Sequence, residues 1–505
     1  MSETAANHDS RRPGGGARTA RSVGLFLGPA IVLVMLVVGP QAGLEPAAWR
    51  AGAVALLMAV WWMTEPVPIP VTALLPLALF PLLGVTDVKA AAEPYAHPLV
   101  FLFLGGFVIA LAMQRWELHR RIALKLISVF GTRPANLIAG FMVATALLSM
   151  WVSNTATTMM MLPIALSVVA LLAAQDRTVG KSGFAIALML GIAYSASIGG
   201  IGTLIGTPPN VFMAGFINEA YGITLGFGQW MLIGLPLVAI MLPIAWLMLT
   251  RVVYRVPGEP AHGSAEIIAQ ALSEMGRMSR GEKTVLVVFT MTAAAWIFRP
   301  LIAGALPGVQ LTDTVIAIAG ALLLFVIPVN WRERQFAMDW EWGQKVPWGV
   351  LLLFGGGLSL SGAIKATGLA AWIGGSTHAL GGLSPVIIVV AVTALIILLT
   401  ELTSNTATTA TFLPIVASVA IGLGENPYLL VVPAALAASC AFMMPVATPP
   451  NAIVFASGHV KIGQMIHAGV WLNLIGVGVI TGVGYSIMLV VLDVELGVVP
   501  EWAVP

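Results

Sequence analysis

Apolar stretches long enough to cross a bilayer recur from one end of this chain to the other, and they restrict it to one kind of fold. Examples are GLFLGPAIVLVMLVVG (24–39), FGQWMLIGLPLVAIMLPIAWLML (227–249) and WLNLIGVGVITGVGYSIMLVVL (471–492). A hydrocarbon core about 30 Å thick is crossed by about 20 apolar residues of helix. The runs are continuously apolar rather than alternating, which predicts helices and not a barrel. Of the 505 residues, 58% are hydrophobic and 9% charged, against about 25% charged in soluble domains. The expected fold class is an all-α polytopic membrane protein.

Residues 1–23 are polar, Gly-rich and basic, and read as a disordered tail. The apolar run that follows has no small-residue cleavage site close behind it, so it reads as a first membrane helix rather than a secretory leader. Cys440 is the single cysteine, which removes disulfide frameworks and cysteine-ligated metal clusters from consideration. No complete G-x-x-x-x-G-K-[ST] phosphate-cradling loop is present, so ATP is not indicated as the energy source.

The chain carries an internal repeat. SNTATTMMMLPIALSV (153–168) and SNTATTATFLPIVASV (404–419) are identical at 11 of 16 positions. Downstream of each lies a second matched element, IGTLIGTPPNVF (201–212) and PVATPPNAIVF (445–455). Two matched pairs in the same order predict two homologous halves. The expected division is a tail (1–23), a first repeat (24–250) with a hairpin at 134–174 and a broken helix at 184–218, and a connector (251–283). A second repeat (284–492) then has a hairpin at 383–423 and a broken helix at 428–458, before a short tail (493–505).

Each SNT element interrupts an apolar segment. Two readings are open: two ordinary spans joined at the surface, or a re-entrant hairpin whose polar tip stops at membrane depth. Counting each as a hairpin leaves eleven full spans. With the N-terminus inside, 20 Lys and Arg then fall on the cytoplasmic side and 4 (Arg50, Lys89, Arg299, Lys365) outside, as the positive-inside rule requires. The expected location is a bacterial inner membrane, N-terminus cytoplasmic and C-terminus periplasmic. The first hairpin would open from inside and the second from outside, making the repeats inverted. The stretches 114–133 and 365–382 read as interfacial amphipathic helices.

Ser, Asn and Thr at membrane depth need partners, and a broken helix exposes backbone groups that need them too. Helix starts favour anions, while loose carbonyls and hydroxyls favour hard cations. Proline forbids regular helix at both TPP strings. Polar residues that merely tie helices together would explain one such motif. Four elements paired by a repeat point to a transport site.

These motifs, with WWMTEPVPIPVTALLPLALFPLLGV (61–85), FLFLGGFVIALAMQRWELHRRIAL (101–124) and ASCAFMMPVATPPNAIV (438–454), make the chain resemble the divalent-anion/sodium symporters over almost its whole length. The resemblance implies one Na⁺ site at Ser149, Ser153, Asn154 and the Gly202 backbone. It implies a second at Thr400, the Thr403 backbone, Asn405 and the Ala447 backbone. A C4-dicarboxylate would touch Asn154, Thr155, Thr203, Asn405, Thr406, Thr448 and Pro449. Thr207, which the shared TPPN string sets opposite Thr448, is the alternative to Thr203. The resemblance further implies a homodimer in membrane lipid and an elevator-type movement of the site.

No Lys or Arg lies in either SNT element or broken helix, so a dianion there needs amides, hydroxyls, helix starts and co-bound cations. The expected function is Na⁺-coupled import of succinate, malate or fumarate. Na⁺-independent exchange, and Na⁺- or H⁺-coupled citrate or sulfate transport, are the alternatives. A serine hydrolase would need a base beside Ser153 or Ser404, and no His or Lys is placed for it. A channel is disfavoured by the broken-helix repeat. Glu401, where the first half has Met150, reads as structural or as tuning a cation or proton site. Glu65, Cys440 and the seven histidines read as packing or interface residues, and the tryptophans as belt residues.

Overall fold

The structure, a computed structural model, describes residues 15–41, 43–175, 183–256, 263–376 and 383–503. Nine helices among them are long and apolar enough to cross a membrane, or ten with the pair Arg280–Ile297 and Arg299–Ala305, which bends by 79°. Eleven full spans are reached only by counting shorter apolar helices such as Ile69–Leu82, Asp313–Val326 and Tyr428–Ala438. The one sheet among the described residues is an antiparallel pair, Pro328–Asn330 with Gln335–Phe336. The chain is an all-α polytopic membrane protein.

The first helix, Gly15–Val38, starts inside the stretch expected to be a tail. Its Ala and Arg residues are good helix formers and continue the apolar segment backward. Residues 1–14 lie outside the described residues, as do parts of the expected connector, of the 365–382 stretch and of the C-terminal tail.

Proline stands first in Pro134–Ser149, Pro208–Tyr221, Pro385–Thr400 and Pro449–Ala456, where its missing N–H costs nothing. These four helices are two matched pairs, one in each half. Pro134–Ser149 and Pro385–Thr400 have 16 residues each, about 24 Å at the helical rise and short of the hydrocarbon thickness. Each is followed within five residues by a helix starting at the SNT asparagine, Asn154–Gln175 or Asn405–Gly422.

Helix Tyr428–Ala438 is buried at every residue, and Gly183–Gly200 from Phe184 onward. Their apolar surface runs all round, as a central helix requires. The paired helices pack about them and cross between halves: Gly183–Gly200 touches Pro449–Ala456, and Pro208–Tyr221 touches Asn405–Gly422. On the side where the basic residues gather, Leu118–Val129 is amphipathic as expected, yet it does not leave all its charges to solvent. Arg121 is buried, bonds the Glu282 carboxylate at 2.6 Å and donates to the carbonyls of Gly276 and Met275.

Two glycines set the depth of the helix breaks. A Cβ on Gly234 would lie 2.4 Å from the Ile201 carbonyl oxygen, and one on Gly469 2.4 Å from that of Phe442. Each presses a neighbouring helix against backbone rather than a flexible side chain, so the space cannot open cheaply. Gly469→Val should cost about 1–3 kcal/mol of stability and lower the melting temperature in detergent. Gly478→Val, in the same helix and facing open space, should melt as the parent does.

Candidate functional site

Each tip is built from a short helix end, a turn and the start of the next helix. In the first half Ser149 Oγ donates to Asn154 Oδ1 at 2.5 Å; in the second, Thr400 Oγ1 donates to Asn405 Oδ1 at 2.7 Å. The hydroxyls of Thr158 and Thr409 bond the carbonyls of Asn154 and Asn405, at 2.8 and 2.7 Å. Ser149 and Thr400 are fully buried. Both hold a tip asparagine from behind.

The two tips differ at the residue before SNT. Thr403 Oγ1 bonds Thr408 Oγ1 at 2.6 Å and the Leu399 carbonyl at 2.9 Å. Its hydroxyl is thus engaged, and its carbonyl is what it has to offer a ligand. The first half has Val152 at that place, and the hydroxyl of Thr157, counterpart of Thr408, has no partner.

The breaks follow one plan. Thr207 and Thr448 are extended residues (φ −146° and −140°) immediately before Pro-Pro-Asn helices. Asn210 Nδ2 donates back to the carbonyls of Gly200 at 3.0 Å and Thr203 at 2.8 Å; Asn451 Nδ2 donates to those of Ala441 and Met444, both at 3.1 Å. The side-chain amide takes over carbonyls that the broken helix leaves open. These matched bonds set the register: Thr207, not Thr203, is the counterpart of Thr448.

A cavity of about 980 Å³ collects these pieces. Ser153, Asn154 and Thr155 line it from one tip, and Ser404, Asn405 and Thr406 from the other. Gly206, Thr207 and Pro208 contribute from the first break, and Ala447, Thr448 and Pro449 from the second. Ser149, Thr400, Gly202 and Thr203 stand outside the lining. Thr203 is fully buried, its hydroxyl donating to the Met150 carbonyl at 2.5 Å. Sequence reasoning assigned no role to Asn210 and Asn451, although their presence in both TPPN strings was the available signal.

The charged residues among the described lining are Arg21 and Glu65, 3.9 Å apart with side chains 50% and 43% exposed. The polar groups that the tips and breaks contribute are hydroxyls, side-chain amides or backbone. No histidine, lysine or aspartate is among the described lining residues, and the carboxylate there, Glu65, is paired with Arg21. No group of three or more His, Cys, Asp or Glu occurs among the described residues. Neutral oxygen donors of this kind suit a hard cation and not a transition metal.

Comparison with known proteins agrees with this architecture. Residues 19–492 match the sequence profile of the family described as the sodium:sulfate symporter transmembrane region. The sodium-dependent dicarboxylate transporter SdcS of Staphylococcus aureus strain MRSA252 is 41% identical over 487 residues, 95% of this chain and 93% of that protein. SdcS of strain bovine RF122 / ET3-1 is 42% identical over 483 residues, 94% of this chain and 92% of the relative. Among solved structures, the Alcanivorax borkumensis YdaH transporter has a TM-score of 0.56 at 16% identity, covering 92% of this chain and 98% of its own. Neisseria gonorrhoeae MtrF has a TM-score of 0.57 at 15% identity, over 95% and 97%. At those identities the likeness is one of fold. The chain belongs to the sodium:sulfate symporters, the divalent-anion/sodium symporter family.

Proposed function

We propose that this protein is a secondary active transporter that imports C4-dicarboxylates such as succinate, malate and fumarate together with Na⁺. The observation that carries the reading is the convergence of both SNT tips and both helix breaks, none of which brings a cationic side chain, on one cavity. Relatives named sodium-dependent dicarboxylate transporters over nearly their whole length support it. A dianion entering such a site loses hydration that neutral donors replace only in part. Na⁺ ions bound behind the tips supply the missing positive charge. Anion affinity therefore rises with Na⁺, and Na⁺ affinity with anion by the same factor.

In this reading Ser149, Ser153, Asn154 and the Gly202 backbone hold one Na⁺, and Thr400, the Thr403 carbonyl, Asn405 and the Ala447 backbone hold another. The dicarboxylate lies between Asn154–Thr155 and Asn405–Thr406, against Thr448 and Pro449. Thr207, in the lining and opposite in register to Thr448, takes the place first given to Thr203. The two hairpins are re-entrant and the repeats inverted; the 16-residue first arms, too short to cross, support this. The hairpins and broken helices pack across the halves into one block, as an elevator-type movement needs. The charge balance supports an inner-membrane protein with a cytoplasmic N-terminus and a periplasmic C-terminus. The homodimer rests on the family resemblance, and light scattering in detergent tests it.

The decisive experiment is uptake of labelled succinate into proteoliposomes under an inward Na⁺ gradient, with K⁺ as control. Uptake confined to Na⁺ is expected. Uptake indifferent to Na⁺ but dependent on internal dicarboxylate would make the protein an exchanger. Asn154→Ala and Asn405→Ala should each abolish uptake while the purified protein still folds, with a melting temperature lowered only as far as the loss of one buried hydrogen bond requires. Thr207→Val removes one hydrogen bond to a charged ligand, a contribution of about 1.5–3 kcal/mol. It should raise the half-saturating succinate concentration by at least tenfold, and an unchanged value would return Thr203 to the site.

A further inference from the structure

Glu401 stands where the first half has Met150. It sits one position after Thr400, is 3% exposed, and has no cationic partner among the described ion pairs. Its Oε1 accepts from the backbone N–H groups of Phe442 at 2.7 Å and Met443 at 2.9 Å, and from Asn473 Nδ2 at 2.7 Å. Its Oε2 accepts from the Met444 N–H at 2.9 Å. All four partners are donors, the complement of an ionised carboxylate.

The same backbone positions in the first half use no acid. There the N–H groups of Ile201 and Gly202 bond carbonyls of their own preceding turn, Ile198 at 3.1 Å and Gly199 at 2.9 Å. Helix Gly183–Gly200 runs up to the break, whereas Tyr428–Ala438 stops about one turn earlier in the shared register. Glu401 replaces that missing turn. It thereby holds residues 442–444, and the Met444 carbonyl in turn accepts the N–H of Ala447 and the amide of Asn451. The loop leading to Ala447 and Thr448 is thus tied by a buried charge to the residue beside Thr400. At the first tip the corresponding residue is Met150, whose tie to the break is the single Thr203 hydroxyl.

We propose that Glu401 is the positioning residue of the second cation site and makes the two repeat-related sites unequal, holding the second preformed and raising its affinity for the ion above that of the first. Two effects act together. The carboxylate presets the 442–447 loop before the ion arrives, so ordering is not charged to binding. Its negative charge, buried one residue from Thr400, also favours a cation. This rests on the Na⁺-coupled reading above.

Glu401→Gln tests it, because a carboxamide turns an N–H₂ toward backbone donors and removes the charge. In proteoliposomes the half-saturating Na⁺ concentration for succinate uptake should rise at least tenfold. The half-saturating succinate concentration, measured at saturating Na⁺, should stay within twofold of the parent. Asn473→Leu removes one of the four bonds and keeps the charge, so a shift of about twofold to fivefold in the same direction is expected. A purely structural role would lower maximal rate and melting temperature and leave the Na⁺ curve in place, and that result overturns the proposal. If Glu401→Gln does not fold, Asn473→Leu decides by the same curve. Parent uptake that ignores Na⁺ would defeat the coupling reading, and this inference with it; a Na⁺-dependent parent with unshifted variants would defeat the inference alone.

Discussion

A helix interrupted away from water must find partners for every N–H and C=O it releases, and this requirement organises the centre of the molecule. Both breaks answer it with the asparagine of a TPPN string, whose side-chain amide reaches back to carbonyls on the far side of the interruption. An ordinary loop would fluctuate there. These breaks are clamped, with a glycine-lined helix against each and a proline fixing the first residue of the next helix. The walls of the cavity are therefore defined by backbone, which is why so few side chains are needed to shape it.

Electrostatics follow from the same economy. The polar groups that the tips and breaks bring to the cavity are uncharged, and the charged residues in its described lining are the paired Arg21 and Glu65. A site of this kind does not hold an anion firmly by itself, and a transporter must release its cargo on the other side. Permanent cations in the wall would oppose release; mobile ones leave with the cargo. Reliance on neutral donors is thus a functional choice as much as a solvation problem.

Much of this was legible in the residues. The long apolar runs announced helices, and the paired SNT and TPPN strings announced two related interruptions. The TPPN string also offered Thr207 opposite Thr448, but the family resemblance pointed to Thr203 instead, and only the matched Asn210 and Asn451 bonds show which of the two stands in register with Thr448. Other features had no local signature. Glu401 finds Asn473 across 72 positions and Arg121 finds Glu282 across 161, and neither pairing obeys a period or a motif. The start of the first helix at Gly15 was masked by a polar, Gly-rich composition. Periodicity reports what faces lipid or core, whereas polar contacts between distant segments depend on the completed packing.

The different ways in which the two breaks are satisfied bear on the history of the chain. Two halves descended from one ancestor would at first have been interchangeable. With Met150 in one and Glu401 in the other, and with Val152 set against Thr403, they no longer are. A molecule assembled from two copies of the second half would bury two acids at its centre, while two copies of the first would have none. The differences at these few buried positions leave the two repeats no longer interchangeable, so neither could stand in for the other.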